Sequence, residues 1–133
     1  MVAQDAYNSY KLNSILTARP EELVLMLYNG LVKFIMLARK AIEEKDIQKA
    51  HDSIIRAEDI IAEFIASLDM KYEISHNLAL LYDYMYDRLI TANMKKDIAI
   101  LDEVLHFAKD LRDTWAQAMK LASQEKKAVE VAK

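Results

Sequence analysis

Two short motifs in this chain have the residue types and spacing of a metal site. They are Glu73-Ile74-Ser75-His76 and Glu103-Val104-Leu105-His106. A carboxylate and an imidazole three residues apart share one face of a helix. Helical bundles that hold two iron ions use two such pairs with two further inward glutamates. Phase and height both count against that chemistry here. The core stripe of the last apolar segment reads Leu101, Leu105, Ala108 and Leu111, which leaves Glu103 and His106 toward solvent. In an antiparallel hairpin turning near Lys95, Glu103 lies beside about Asp87. Glu73 is then about 14 residues and ~21 Å further down, whereas paired metal ions sit ~4 Å apart. Charged residues on solvated faces account for both motifs more simply. A ferritin-like metal-binding bundle stands as the catalytic alternative.

No other catalytic set emerges. His51 has no second imidazole near it, and no Ser/His/Asp arrangement has a local signature. Cysteine is absent, which removes thiolate nucleophiles, disulfides and Cys-ligated clusters and fits a cytoplasmic protein. The 133 residues include one glycine and one proline, against roughly nine and seven at average usage. A dinucleotide fingerprint needs three glycines and a phosphate loop needs two. The chain therefore has no standard Gly-rich nucleotide loop and is not expected to spend ATP, and no cofactor or metal is expected. Scarce turn residues also exclude β-sandwiches and small barrels. A net charge of −3 and a pI near 5.6 lack the basic stripe of a nucleic-acid binder. No apolar run approaches the ~20 residues of a membrane span. The first five residues carry no signal-peptide pattern, so membrane insertion is not expected.

The elements follow from apolar spacing. Residues 1–19 read as a non-bundle segment, polar with scattered anchors at Tyr7, Tyr10, Leu12, Ile15 and Leu16. Pro20-Glu21-Glu22 opens a helix, with proline at the first position and two acids at the positive end of the dipole. Arg19, a poor cap, precedes it. Val24, Leu27, Leu31, Phe34, Ile35, Ala38 and Ile42 mark one face of a helix over about 20–44. Asp46 caps a second helix over about 46–68, with Ile47, Ile54, Ile61 and Leu68 recurring every seven residues. A third covers about 74–93, with Ile74, Leu78, Leu81, Met85, Leu89 and Ala92 on one face and a stop at Asn93, and Asp97 caps a fourth over about 97–122. Residues 123–133 read as a frayed charged tail. Short connections make the helices antiparallel neighbours, an all-α, up-down-up-down four-helix bundle over 20–122.

Apolar residues exceed what one seam needs. Tyr82, Tyr84 and Tyr86 alternate on the third helix and cannot all face one core. They are either boundary tyrosines or part of a partner surface. Beside its seam the second helix carries Ile55, Ile60 and Ile65, so it packs on both sides or is open to a ligand helix. Seven methionines, Met26, Met36, Met85 and Met119 among them, suit an adaptable groove or serve as core filler. Gly30 falls inside the first helix despite the turn-like Asn29-Gly30 pair. Its cost of ~1 kcal/mol against alanine points to a close approach by another backbone, either the N-terminal segment or a neighbouring helix.

An ordered series of motifs carries a family resemblance. It runs through Ala6-Tyr7, Tyr10, Thr17-Ala18-Arg19-Pro20-Glu21-Glu22-Leu23 and Leu25-Met26-Leu27-Tyr28-Asn29-Gly30. It continues with Leu81-Tyr82-Asp83-Tyr84-Met85, Arg88-Leu89, Ala92-Asn93, Asp97 and Trp115. From about Ala6 to Ala122 the chain resembles the flagellin export chaperone family, FliS. Arg19 departs from the Ser or Thr usual there. The resemblance, with the surplus apolar faces, implies a cytoplasmic, non-enzymatic chaperone that binds the C-terminal segment of newly made flagellin in apolar grooves. It also implies prevention of premature polymerisation and delivery to an export-gate membrane protein. The residues expected to take flagellin are Ile55, Ile60, Ile65, Leu78, Tyr82, Met85 and Tyr86, with Tyr7, Tyr10 and Ile15 as an N-terminal cap. A homodimer is compatible with this reading, and a purely structural, self-associating bundle is its non-catalytic rival.

Overall fold

The computed structural model describes residues 3–6, 8, 9, 13 and 18–132. The bundle consists of α1 (Pro20–Glu43), α2 (Ile47–Ser67), α3 (Glu73–Lys95) and α4 (Ile98–Ala132). Each packs on its neighbours in the order α1–α2–α3–α4–α1. This is the up-down-up-down bundle the spacing predicts.

Local chemistry sets the ends. Arg19 occupies the cap position of α1 with extended backbone, and its side chain has no oxygen to accept a helix N–H. Glu22 compensates: its carboxylate accepts from the Arg19 backbone N–H at 3.4 Å and from Arg19 Nε at 2.9 Å. The α1–α2 and α3–α4 hairpins use one device twice. Lys45 (φ 62°) and Lys96 (φ 50°) take the left-handed conformation that glycine usually supplies. The next amides reach back, Asp46 N–H to the Ala41 carbonyl at 2.8 Å and Asp97 N–H to the Ala92 carbonyl at 3.1 Å. Each aspartate then caps the following helix, Asp46 Oδ1 accepting from Lys49 N–H at 3.1 Å and Asp97 Oδ1 from Ala99 N–H at 2.9 Å. The α3 stop is therefore Lys96 rather than Asn93. The α4 helix continues to Ala132 instead of fraying after 122, and every residue from Lys120 to Ala132 is exposed.

The core is built from Leu31, Ile35, Ile54, Ile61, Met85, Leu89, Leu101 and Val104, with alanines 38, 57, 92 and 108 letting the helices close up. The seams lose their ends. Ile47 and Ile74, expected on the core faces, are 54% and 66% exposed. At the centre Phe64 of α2 stacks on Tyr28 of α1 (centroids 4.5 Å apart) and on Tyr82 of α3 (5.5 Å). The two phenols meet at 2.6 Å across the bundle diagonal. Burial raises both hydroxyl pKa values above the ordinary phenol range, so the pair stays neutral. At the far end Trp115 Nε1 donates to the Glu21 carbonyl at 2.9 Å and ties α4 to the first turn of α1.

Gly30 faces α2, and a Cβ there would meet Ile60 Cδ1 at 3.3 Å. The neighbour is the end of a flexible side chain, not a backbone. Gly30→Ala is therefore expected to raise the urea midpoint, by less than the ~1 kcal/mol propensity difference, since Ile60 must shift slightly. A lower midpoint would show that Ile60 cannot yield. Tyr82→Phe orphans the Tyr28 hydroxyl and should cost about 1–3 kcal/mol. The double variant Tyr28→Phe, Tyr82→Phe removes both polar groups and should recover much of that loss in the same unfolding experiment.

Candidate functional site

The expected flagellin surface divides. Ile55 is exposed, and Ile60, Ile65, Leu78 and Tyr86 are half-buried. Tyr82 and Met85, at 2% and 0% exposure, belong to the core rather than to a groove wall. Their phase on α3 turns them to the bundle axis, where Tyr82 reaches its partner Tyr28. The isoleucines of α2 fall on two sides. Ile60 meets Gly30 of α1, while Ile55 shares a stripe with His51 and Glu58, which border α3. Tyr7, Tyr10 and Ile15 lie outside the described residues.

The structure adds a groove between α1 and α4. It measures about 790 Å³, with Val32, Met36, Leu37 and Leu105 as apolar lining and Lys33 and Lys40 at its margin. Met36 is half exposed. In sequence this second stripe sits one position beside the core positions Leu31, Ile35 and Ala38. Only the exposed methionine hints at it. Arg39 braces the groove by donating from Nε to Asp102 Oδ1 at 2.7 Å and pairing with Glu43. A second, smaller groove of about 460 Å³ lies where α4 leaves the bundle, lined by Trp115, Ala118, Met119 and Ala122 with Arg19 and Glu21.

The charged motifs resolve into pairs. Glu103 accepts from Arg88 Nε and from the Tyr84 hydroxyl, both at 2.8 Å. These bonds, Arg88 foremost, hold its carboxyl below the usual range. His106 lies 3.3 Å from Asp110 on the outer face of α4. Glu73 and His76 are exposed at the start of α3, about 22 and 18 Å along that helix from Arg88. Among the described residues no group of three or more His, Asp or Glu side chains is placed to hold a metal ion. No described helix is long and apolar enough to cross a membrane. Glu58 stands apart in being buried. It lies on α2, its Oε2 without a hydrogen-bond partner among the described residues, and burial, reinforced by Asp59 and opposed by His51, raises its pKa.

Comparison with known proteins gives one consistent result. The family described as Flagellar protein FliS matches residues 3–122. The flagellar secretion chaperone FliS of Bacillus subtilis is 45% identical over 119 residues, covering 90% of each chain. That of Salmonella typhimurium is 32% identical over 114 residues, 84% of each. A solved flagellar chaperone from bacteria superposes with a TM-score of 0.71 at 19% identity, over 89% of this chain and 98% of its own, which speaks for the fold.

The Glu103 pairing carries a pH signature. A carboxyl whose folded pKa is lowered contributes stability above its unfolded value, near 4.5, and loses it as pH falls through the folded pKa. Glu103→Gln should therefore flatten the acid limb of a stability–pH profile measured by urea unfolding. The effect is modest because the pair is over one-third exposed. An unchanged acid limb would mean the contacts contribute nothing in solution.

Proposed function

The chain belongs to the FliS family of flagellar secretion chaperones, and on that premise we propose that it binds the C-terminal segment of newly made flagellin in the cytoplasm. The observation that carries this reading is apolar surface left outside a filled core. Leu31, Ile35, Ile61 and Leu101 are fully enclosed, yet Met36, Ile55 and Ile90 remain 50%, 39% and 38% exposed. An amphipathic segment that finds its burial in other subunits after assembly would find a temporary substitute in such grooves. Occupying that segment blocks premature polymerisation. The loaded complex is then delivered to an export-gate membrane protein.

Binding and release on this reading need no bond-breaking chemistry. Residues 1–16, with Tyr7, Tyr10 and Ile15, act as a displaceable cap that shields part of the surface when no client is bound. Shielding of that kind lowers apparent affinity by the fraction of chains that are capped. Self-association through the same apolar faces is the competing occupancy, and flagellin should displace it.

Calorimetric titration of the chain with a flagellin C-terminal peptide should give one-to-one binding. No heat at peptide concentrations on the order of tens of micromolar, a Kd range worth ~6–7 kcal/mol, would reject the proposal. Met36→Lys and Ile55→Lys, at positions already exposed, should each weaken binding about tenfold or more with melting unchanged. Deleting residues 1–16 should leave the bundle folded by circular dichroism and alter flagellin affinity. An unfolded truncation would make that segment core rather than cap.

A further inference from the structure

Glu58 marks a place the bundle itself leaves incomplete. It is 7% exposed, and among the described residues its Oε2 has no hydrogen-bond partner. It lines a cleft of about 390 Å³ between α2 and α3, with His51, Ile90, Asn93, Met94 and Lys96 as the other walls. The remaining polar groups are already committed to one another. Lys96 Nζ donates to the carbonyl oxygen and to Oδ1 of Asn93, both at 2.6 Å. That contact orients the amide so that its Nδ2 donates to His51 Nδ1 at 2.9 Å. In this arrangement His51 Nδ1 accepts from the amide. Lys96 is therefore engaged with Asn93, and His51, which acts on Glu58 only through space, gives it no hydrogen bond.

A buried carboxylate without a partner destabilises the free chain, and a cation that brings its own N–H donors relieves it. The surroundings say what kind of cation. Ile55 stands between His51 and Glu58 on the same stripe of α2, and Ile90 and Met94 stand opposite on α3, all three exposed. A bare metal ion would leave that apolar rim uncovered and would find a single free carboxylate. A basic side chain on an apolar segment satisfies both parts.

We propose that this cleft receives a lysine or arginine side chain of the bound flagellin segment, its cationic head paired with Glu58 and its apolar neighbours covering Ile55, Ile90 and Met94. The inference rests on the flagellin-binding reading above and adds a charge-reading position to it.

The test is a two-by-two titration of the full chain. The wild type and Glu58→Gln are each titrated with a flagellin C-terminal peptide. They are also titrated with the same peptide carrying acetyl-lysine for lysine and citrulline for arginine. The wild type should prefer the charged peptide, and Glu58→Gln should bind it about tenfold or more weakly while treating the neutral peptide as the wild type does. Melting without peptide should be equal or higher in Glu58→Gln. Equal affinity of both chains for the charged peptide overturns the proposal and leaves client binding standing. A Glu58→Gln chain that melts lower also overturns it, since the carboxylate would then be a structural partner. A wild type that binds neither peptide overturns this proposal together with the reading it rests on.

Discussion

The hydrogen bond between Tyr28 and Tyr82 is the constraint on which the rest of the bundle is arranged. It joins α1 to α3, helices at opposite corners of the bundle. Each phenol is buried and has the other as its hydrogen-bond partner, so neither helix can slide by a turn without orphaning two hydroxyls. Phe64 closes the site from α2 by stacking on both rings. Three of the four helices are thereby keyed at one level. Trp115 keys the fourth near its exit through the Glu21 carbonyl. The seams between these points need only be apolar and of suitable volume, which is why alanine, leucine and isoleucine suffice there.

Much of this was readable from the chain. Threefold and fourfold apolar spacing located the helices, and aspartates 46 and 97 located two starts, because both signals are local. Antiparallel register was also readable. Glu103 was expected beside Asp87 and pairs with Arg88. What escaped was either non-local or unusual. A bond between residues 54 positions apart has no sequence pattern, so phase puts Tyr82 near the seam without revealing that Tyr28 holds it inside the core and off the binding surface. The left-handed stop at Lys96 escaped because lysine seldom takes that conformation and Asn93 offered a better candidate by type. The isolation of Glu58 was invisible because loss of a partner is a property of three-dimensional surroundings. The α1–α4 groove was masked by its closeness in phase to the core stripe.

The placement of apolar residues connects the fold to its use. A bundle that had only to fold would turn Met36, Ile55 and Ile90 into polar positions at little cost. Here they flank polar anchors, Lys33 and Lys40 on one face and Glu58 on another. Apolar area supplies affinity in such a surface, and the sparse charges supply register and orientation. Gly30 contributes differently. Its missing Cβ leaves room for the tip of the half-buried Ile60 against α1, which turns that isoleucine toward packing.

The long α4 has a consequence of its own. Beyond Trp115 it leaves the body, and from Lys120 on its side chains touch water. An isolated peptide of that composition would meet the nucleation barrier that makes short helices marginal. In α4 the first turns are already formed inside the bundle, so the extension only has to propagate, residue by residue, from a template. It behaves as a zipper with one fixed end. Its helical length is set by temperature and by helix propensity alone, and amide exchange should quicken smoothly toward the free end instead of falling into one cooperative unit.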